Sequence, residues 1–118
     1  MEATVTIIVD RLAALAQPHR LAVYRLLVDA GPAGRLPGEI AAELGIPASS
    51  LSFHLAHLKR AGVAATTREG RSLRYAVDRA AMRTLVDFLG ETCGAGAAPA
   101  QSQRPGDAMR ALLERQHR

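Results

Sequence analysis

Glu39-Ile40-Ala41-Ala42-Glu43-Leu44-Gly45-Ile46-Pro47-Ala48-Ser49-Ser50-Leu51-Ser52-Phe53-His54-Leu55-Ala56-His57-Leu58-Lys59-Arg60-Ala61-Gly62 is the stretch that decides the fold. From Leu36 to Leu44, Ile40 and Leu44 fall on one face of a short amphipathic helix, and Gly45 supplies the left-handed residue that ends it. Gly45-Ile46-Pro47-Ala48 is a tight turn. Leu51, Leu55 and Leu58 then recur at i, i+4 and i+7 through a second helix, Ser49 to Ala61, which stops at Gly62. Two short helices joined by a glycine-bearing turn make a helix-turn-helix.

Upstream, Val5, Ile8, Leu12 and Leu15 keep helical spacing over residues 5 to 16, and the helix ends at Gln17-Pro18, because the residue before proline is pushed out of the helical region. Pro18 suits the first turn of a further helix bearing Leu21, Ala22, Tyr24, Arg25, Leu27 and Val28, which Gly31-Pro32-Ala33-Gly34 breaks. Downstream the period changes. Val63 to Arg68 and Leu73 to Val77 are β-prone runs around Glu69-Gly70-Arg71-Ser72, a hairpin with a basic tip in which Gly70 supplies positive φ. Asp78 caps a last helix, Arg79 to Thr92, with Met82, Leu85, Val86 and Leu89 as its apolar stripe and Gly90 weakening its final turn. The predicted fold is mainly α with a small β-hairpin, a dimeric winged helix-turn-helix. The predicted domain runs over residues 1–93. A small-residue linker and a short helical segment, Asp107 to Gln116, form a tail over 94–118.

The 118 residues are one domain's worth of chain, 48% hydrophobic and 22% charged, a balance that excludes a disordered tail and an integral membrane protein. The chain contains no Trp, two Tyr and two Phe, so the core must be built from Ala, Leu and Val, which argues against an all-β sandwich. The net charge is +4, and all but Lys59 of its 15 cations are arginines, the side chain suited to bidentate phosphate and guanine contacts. A polyanionic partner is expected. The single cysteine, Cys93, excludes an intrachain disulfide framework, and no basic leader or long apolar run precedes the first helix, so the cytoplasm is the expected location and no membrane is involved.

The charges concentrate where the fold would use them. Between residues 48 and 76, Lys59, Arg60, Arg68, Arg71 and Arg74 stand against Glu69 alone. A recognition helix lies in the major groove of duplex DNA while a basic hairpin reaches neighbouring phosphates. Ser49, Ser50, Ser52, Phe53, His54 and His57 are read as the exposed positions of the recognition helix, and Lys59, Arg68, Arg71 and Arg74 as its phosphate contacts. Serine hydroxyls donate or accept at base edges, and Phe53 suits a thymine methyl. The competing readings are local: Ser49 is also a suitable helix cap, and His54 also suits packing or a phosphate contact. His54 and His57 have a zinc-compatible i, i+3 spacing but no third ligand nearby in sequence. No nucleophile-elbow or phosphate-cradling motif supports an enzyme.

Ala16-Gln17-Pro18-His19-Arg20-Leu21, Glu39-Ile40-Ala41, Ser52-Phe53-His54-Leu55, Lys59-Arg60-Ala61-Gly62-Val63, Arg68-Glu69-Gly70-Arg71 and Tyr75, in this order, closely resemble the ArsR/SmtB family of metal-responsive bacterial repressors from about residue 11 to 93. The resemblance implies a homodimer formed mainly by the first and last helices, bound to an inverted-repeat operator and released by an inducer. The family's Cys-x-Cys site before the turn is absent, since Leu36-Pro37-Gly38-Glu39 has no thiol, and the zinc site of the last helix lacks its histidines. Leu85-Val86-Asp87-Phe88-Leu89-Gly90-Glu91-Thr92-Cys93 looks like the arsenite-sensing branch, which implies trivalent arsenic or antimony as inducer, although Gly94 stands where a second cysteine belongs. Trivalent arsenic prefers three thiolates, so Cys93 reads as a half-site, a redox-reactive thiol or an inert residue. An oxidant or an organic ligand as effector, and a winged helix serving a protein partner, are the alternatives.

Overall fold

The computed structural model describes residues 2–94. Helices α1 (Glu2–Leu15), α2 (Pro18–Ala30), α3 (Pro37–Leu44) and α4 (Ala48–Arg60) precede strands β1 (Ala64–Glu69) and β2 (Ser72–Val77), and α5 (Arg79–Gly94) follows. The chain divides inside α5 into two compact units, Met1–Leu85 and Val86–Arg118. The architecture below is that of the first. The tail beyond Gly94, with the helical segment expected from Asp107 to Gln116, lies outside the described residues, so the division expected at 93/94 stays an expectation.

Local chemistry sets most of the boundaries. Gln17 caps α2, its side-chain Oε1 accepting from the Arg20 backbone N–H at 2.8 Å, and Pro18 occupies the first turn, where a missing N–H costs nothing. The Glu39 carboxylate accepts from the Leu36 N–H at 2.8 Å and so satisfies a donor ahead of α3. Gly45 ends α3 at φ 66° and ψ 31°, the left-handed conformation anticipated from sequence. Asp78 Oδ1 accepts from the Ala81 N–H at 3.0 Å at the start of α5, again as anticipated. Two ends differ. Helix α1 begins at Glu2, ahead of the expected residue 5, and α5 runs through Gly90 to Gly94 instead of stopping at Thr92.

The core is aliphatic. Val23 and Leu27 of α2, Ile40 of α3, and Leu51, Leu55 and Leu58 of α4 are fully buried, joined by Ala14 of α1 and by Val63 at the start of the hairpin. The apolar stripes of α3 and α4 are thus what holds the helix-turn-helix together, and the opposite face of α4 is left to solvent. Strands β1 and β2 pair antiparallel in a register running from Ala64 opposite Val77 to Glu69 opposite Ser72, around a two-residue Gly70-Arg71 turn with φ 62° at Gly70.

The segment after α2 is more than a break. Residues Gly31–Ala33 form a 3-10 turn, and Arg35 then makes a bridge with Tyr75, each N–H donating to the other residue's carbonyl at 2.9 Å. Gly34 sits against this bridge at φ 68°, with the Tyr75 carbonyl where a Cβ would be. The base of the hairpin is thereby fastened to the helical part of the fold. Among the described residues no helix is long and apolar enough to cross a membrane.

Candidate nucleic-acid interface

Because α4 buries Leu51, Leu55 and Leu58, the helical period turns Ser49, Ser52, Phe53, Ala56, Lys59 and Arg60 outward, and all six are exposed. Phe53 is 64% exposed, the most exposed large apolar side chain among those described. The ring stands in water on a helix whose leucines are all buried, on the face turned away from the core. Ser49, Ser50 and Ser52 are exposed as well, and their hydroxyls make no protein hydrogen bond among the described residues. The capping alternative for Ser49 does not apply. The cap position is Pro47, no side chain caps α4, and Ser49 lies inside the first turn. The first turn of α4 therefore presents backbone N–H groups and unengaged hydroxyls together.

His54 and His57 depart from the exposed positions assigned to them from sequence, both being half-buried. The period turns them to the flank of α4 that meets the start of α2, where the rings of His54 and His19 lie 5.5 Å apart. His54 Nδ1 is buried without a hydrogen-bond partner. Burial, followed by the positive charge of Arg20 and then by His19 and His57, lowers the pKa of His54; burial, Arg20 and Arg60 lower that of His57. Both rings are thus held neutral to a lower pH than a free imidazole. Since the folded pKa is depressed, this contribution to stability is present above the unfolded value and is lost as pH falls through the folded one. No third ligand joins the pair, for among the described residues no group of three or more His, Cys, Asp or Glu could hold a metal ion.

The wing divides its cations. Arg68 and Arg71 are exposed and make no ion pair among the described residues. Arg74, expected to reach phosphate with them, is engaged within the fold. Its Nε lies 2.9 Å from Glu69 Oε2 across the hairpin, and its Nη1 reaches the Ala33 and Gly34 carbonyls at 3.4 Å. Sequence reasoning missed this because Glu69 and Arg74 are diagonal neighbours in the antiparallel register, close only once the pairing of Glu69 with Ser72 is known. It also missed Arg20, whose Nε donates to the Ala14 carbonyl at 2.7 Å, which leaves its charge beside the α4 histidines. The side chain of Cys93, on α5, lies outside those described.

Known proteins are similar to this chain in sequence and fold. Residues 15–67 match a family model described as a helix-turn-helix domain. The HTH-type transcriptional regulator CmtR of Mycobacterium tuberculosis is 41% identical over 64 residues, covering 54% of this chain and 52% of that protein. The chain spans about half the length of the curated relatives it matches. Among solved structures, an ArsR-like transcriptional regulator from Rhodococcus sp. RHA1 superposes with a TM-score of 0.69 at 22% identity, over 96% of this chain and 94% of that one. The homodimeric winged helix-turn-helix DNA-binding domain of Mb0332 from Mycobacterium bovis, described as a possible ArsR-family regulator, gives a TM-score of 0.62 at 24% identity, over 83% of this chain and 92% of that one. The relatives are named as transcriptional regulators, not enzymes.

Proposed function

We propose, from the premise that this chain belongs to the ArsR/SmtB family of winged helix-turn-helix proteins, that it is a transcriptional repressor that binds an inverted-repeat operator as a homodimer and lets go when an inducer binds. The observation that carries the reading is the outward face of α4, where Phe53 stands in solvent among serine hydroxyls with no protein partner. Apolar contact with a thymine methyl and hydroxyl contacts to base edges would read sequence, and Arg68 and Arg71 would hold the wing on phosphates. Lys59, exposed in the last turn of α4, adds a phosphate contact.

Val5, Ile7, Val9 and Leu12 of α1 are 40–54% exposed, an apolar surface that supports a second copy as its cover. A two-fold dimer presents its two α4 helices to half-sites about 34 Å, one helical turn, apart. An inducer that prefers another dimer geometry would spoil that spacing. Phe53→Ala is expected to narrow the discrimination between operator and scrambled duplex by about tenfold, the value of one apolar base contact, with binding to scrambled duplex unchanged. Equal discrimination in the variant, measured by competition in fluorescence anisotropy, would remove α4 from base reading.

Arsenite acting through Cys93 is the inducer we propose, on the likeness of the last helix to the arsenite-sensing branch. One thiol per protomer gives two in a dimer, fewer than trivalent arsenic prefers, so the expected response is weak. Release of wild-type protein from operator by arsenite, with none from Cys93→Ser, is the expected result. Identical titrations of the two proteins would retire arsenite at Cys93 and leave an oxidant or an organic ligand as the effector.

A further inference from the structure

The flank of α4 that carries His54 and His57 has no role in the reading above, yet it gathers an unusual set of groups. His19 and Arg20 come from the first turn of α2, and His54 and His57 come from the middle of α4. The His19 and His54 rings are 5.5 Å apart, and Gln17 Nε2 sits 3.3 Å from His19 Nδ1, which fixes the outer ring. Arg20 spends only its Nε, on the Ala14 carbonyl; its terminal nitrogens have no protein partner among the described residues.

Among the described residues no carboxylate pairs with these groups. On α2 the facing charges are His19 and Arg20, and on α4 itself they are His57 and Arg60. Helix α1 also packs on α4, but its Arg11 donates to the Ala81 carbonyl at 3.0 Å. On α3 Glu39 is engaged by the Leu36 N–H, and on β1 Glu69 is paired with Arg74. Neither Asp10 of α1 nor Glu43 of α3 forms an ion pair with these groups among the described residues. The result is a cluster of imidazoles beside Arg20 with no counter-ion among the described residues, on the α4 turn that carries Phe53.

We propose that His19, Arg20 and His57, backed by His54, form a second phosphate site on this flank, which takes a backbone phosphate of the duplex together with a proton from solvent. The inference rests on the DNA-binding reading. A phosphate against this flank supplies the missing negative charge, and the imidazole nitrogen that accepts the proton becomes a second charged donor beside Arg20. In the free protein the same proton is unwelcome, because it would be added among like charges with no partner. Acid therefore weakens the free fold and strengthens the complex.

The test is operator binding by wild-type protein between about pH 8 and pH 6, where carboxylates do not titrate, with proton uptake measured by calorimetry in buffers of different ionisation enthalpy. The expected result is affinity rising by up to about tenfold per pH unit for each proton taken up, up to about 100-fold when both flanks of a dimer take one, and near-zero slope in His19→Gln/His57→Gln. His117→Gln, altered in the tail, should keep the wild-type slope. Operator binding that is flat across this range, or a double variant that keeps the wild-type slope and proton uptake, overturns the phosphate site and leaves the α4 reading standing. Absence of operator preference at every pH overturns both.

Discussion

Arg68→Ala combined with Arg71→Ala is expected to weaken binding to operator and to scrambled duplex alike, on the order of 100-fold at low salt. Both side chains are exposed cations on the hairpin with no ion pair among the described residues, so their loss removes charge from the interface without disturbing the fold. If each neutralises one phosphate, the plot of log affinity against log salt becomes shallower by about 1.8 per protomer. Arg74→Ala behaves differently. It breaks an exposed pair with Glu69 worth no more than about 1 kcal/mol and frees a carboxylate near the hairpin tip, so the slope changes less than for Arg71→Ala alone. Equal slopes for wild type and the Arg68/Arg71 double variant would show that the wing does not touch phosphate.

Gly34→Ala should damage the fold more than any surface change. The residue combines φ 68° with a backbone approach in which a Cβ would overlap the Tyr75 carbonyl oxygen, the acceptor of the Arg35 N–H. Left-handed strain costs about 1–2 kcal/mol, and losing the paired Arg35–Tyr75 hydrogen bonds adds about 1 kcal/mol each. A loss of about 3 kcal/mol lowers the melting temperature of a domain this size by roughly 15 °C. Gly38→Ala is the internal comparison. Nothing lies within 4 Å of a Cβ there, and the site is in the first turn of α3, so this variant should melt at or slightly above wild type. Thermal unfolding followed by circular dichroism decides, and a Gly34→Ala protein that melts with wild type would show that the bridge is not what fastens the hairpin.

What was legible in the sequence follows the range of the interactions involved. The turn between α3 and α4 could be read because its determinants are adjacent: the Ile40 and Leu44 stripe, the left-handed Gly45, and the leucines at i, i+4 and i+7. Gln17-Pro18 and Asp78 marked helix starts for the same reason, since a cap and the N–H it satisfies lie three residues apart. The hairpin came from Gly70 and the change of period, and even its two-residue turn lay within the predicted loop.

The features that escaped are those that need the fold first. Gly34 looked like part of a loop until Tyr75, far along the chain, came to rest against it. Arg74 looked like a sibling of Arg71 until the register brought Glu69 to it. His54 was legible as a position on α4 but not as the neighbour of His19, because helical period separates buried from exposed faces and says little about the flank between them. Ser49 was mistaken for a potential cap because its type fits; the chain enters α4 two residues earlier, from the extended Pro47.

Sequence-preferring binding to duplex DNA is the claim on which the rest depends. Anisotropy titrations of the full chain on labelled duplex from upstream of its own gene, against a scrambled duplex of equal length and composition at one fixed salt concentration, test it most directly. Saturable binding to the upstream duplex, at least about 1,000-fold tighter than to the scrambled one, is the expected result. Equal affinity for the two, however tight, would contradict it and leave the exposed face of α4 to a protein partner.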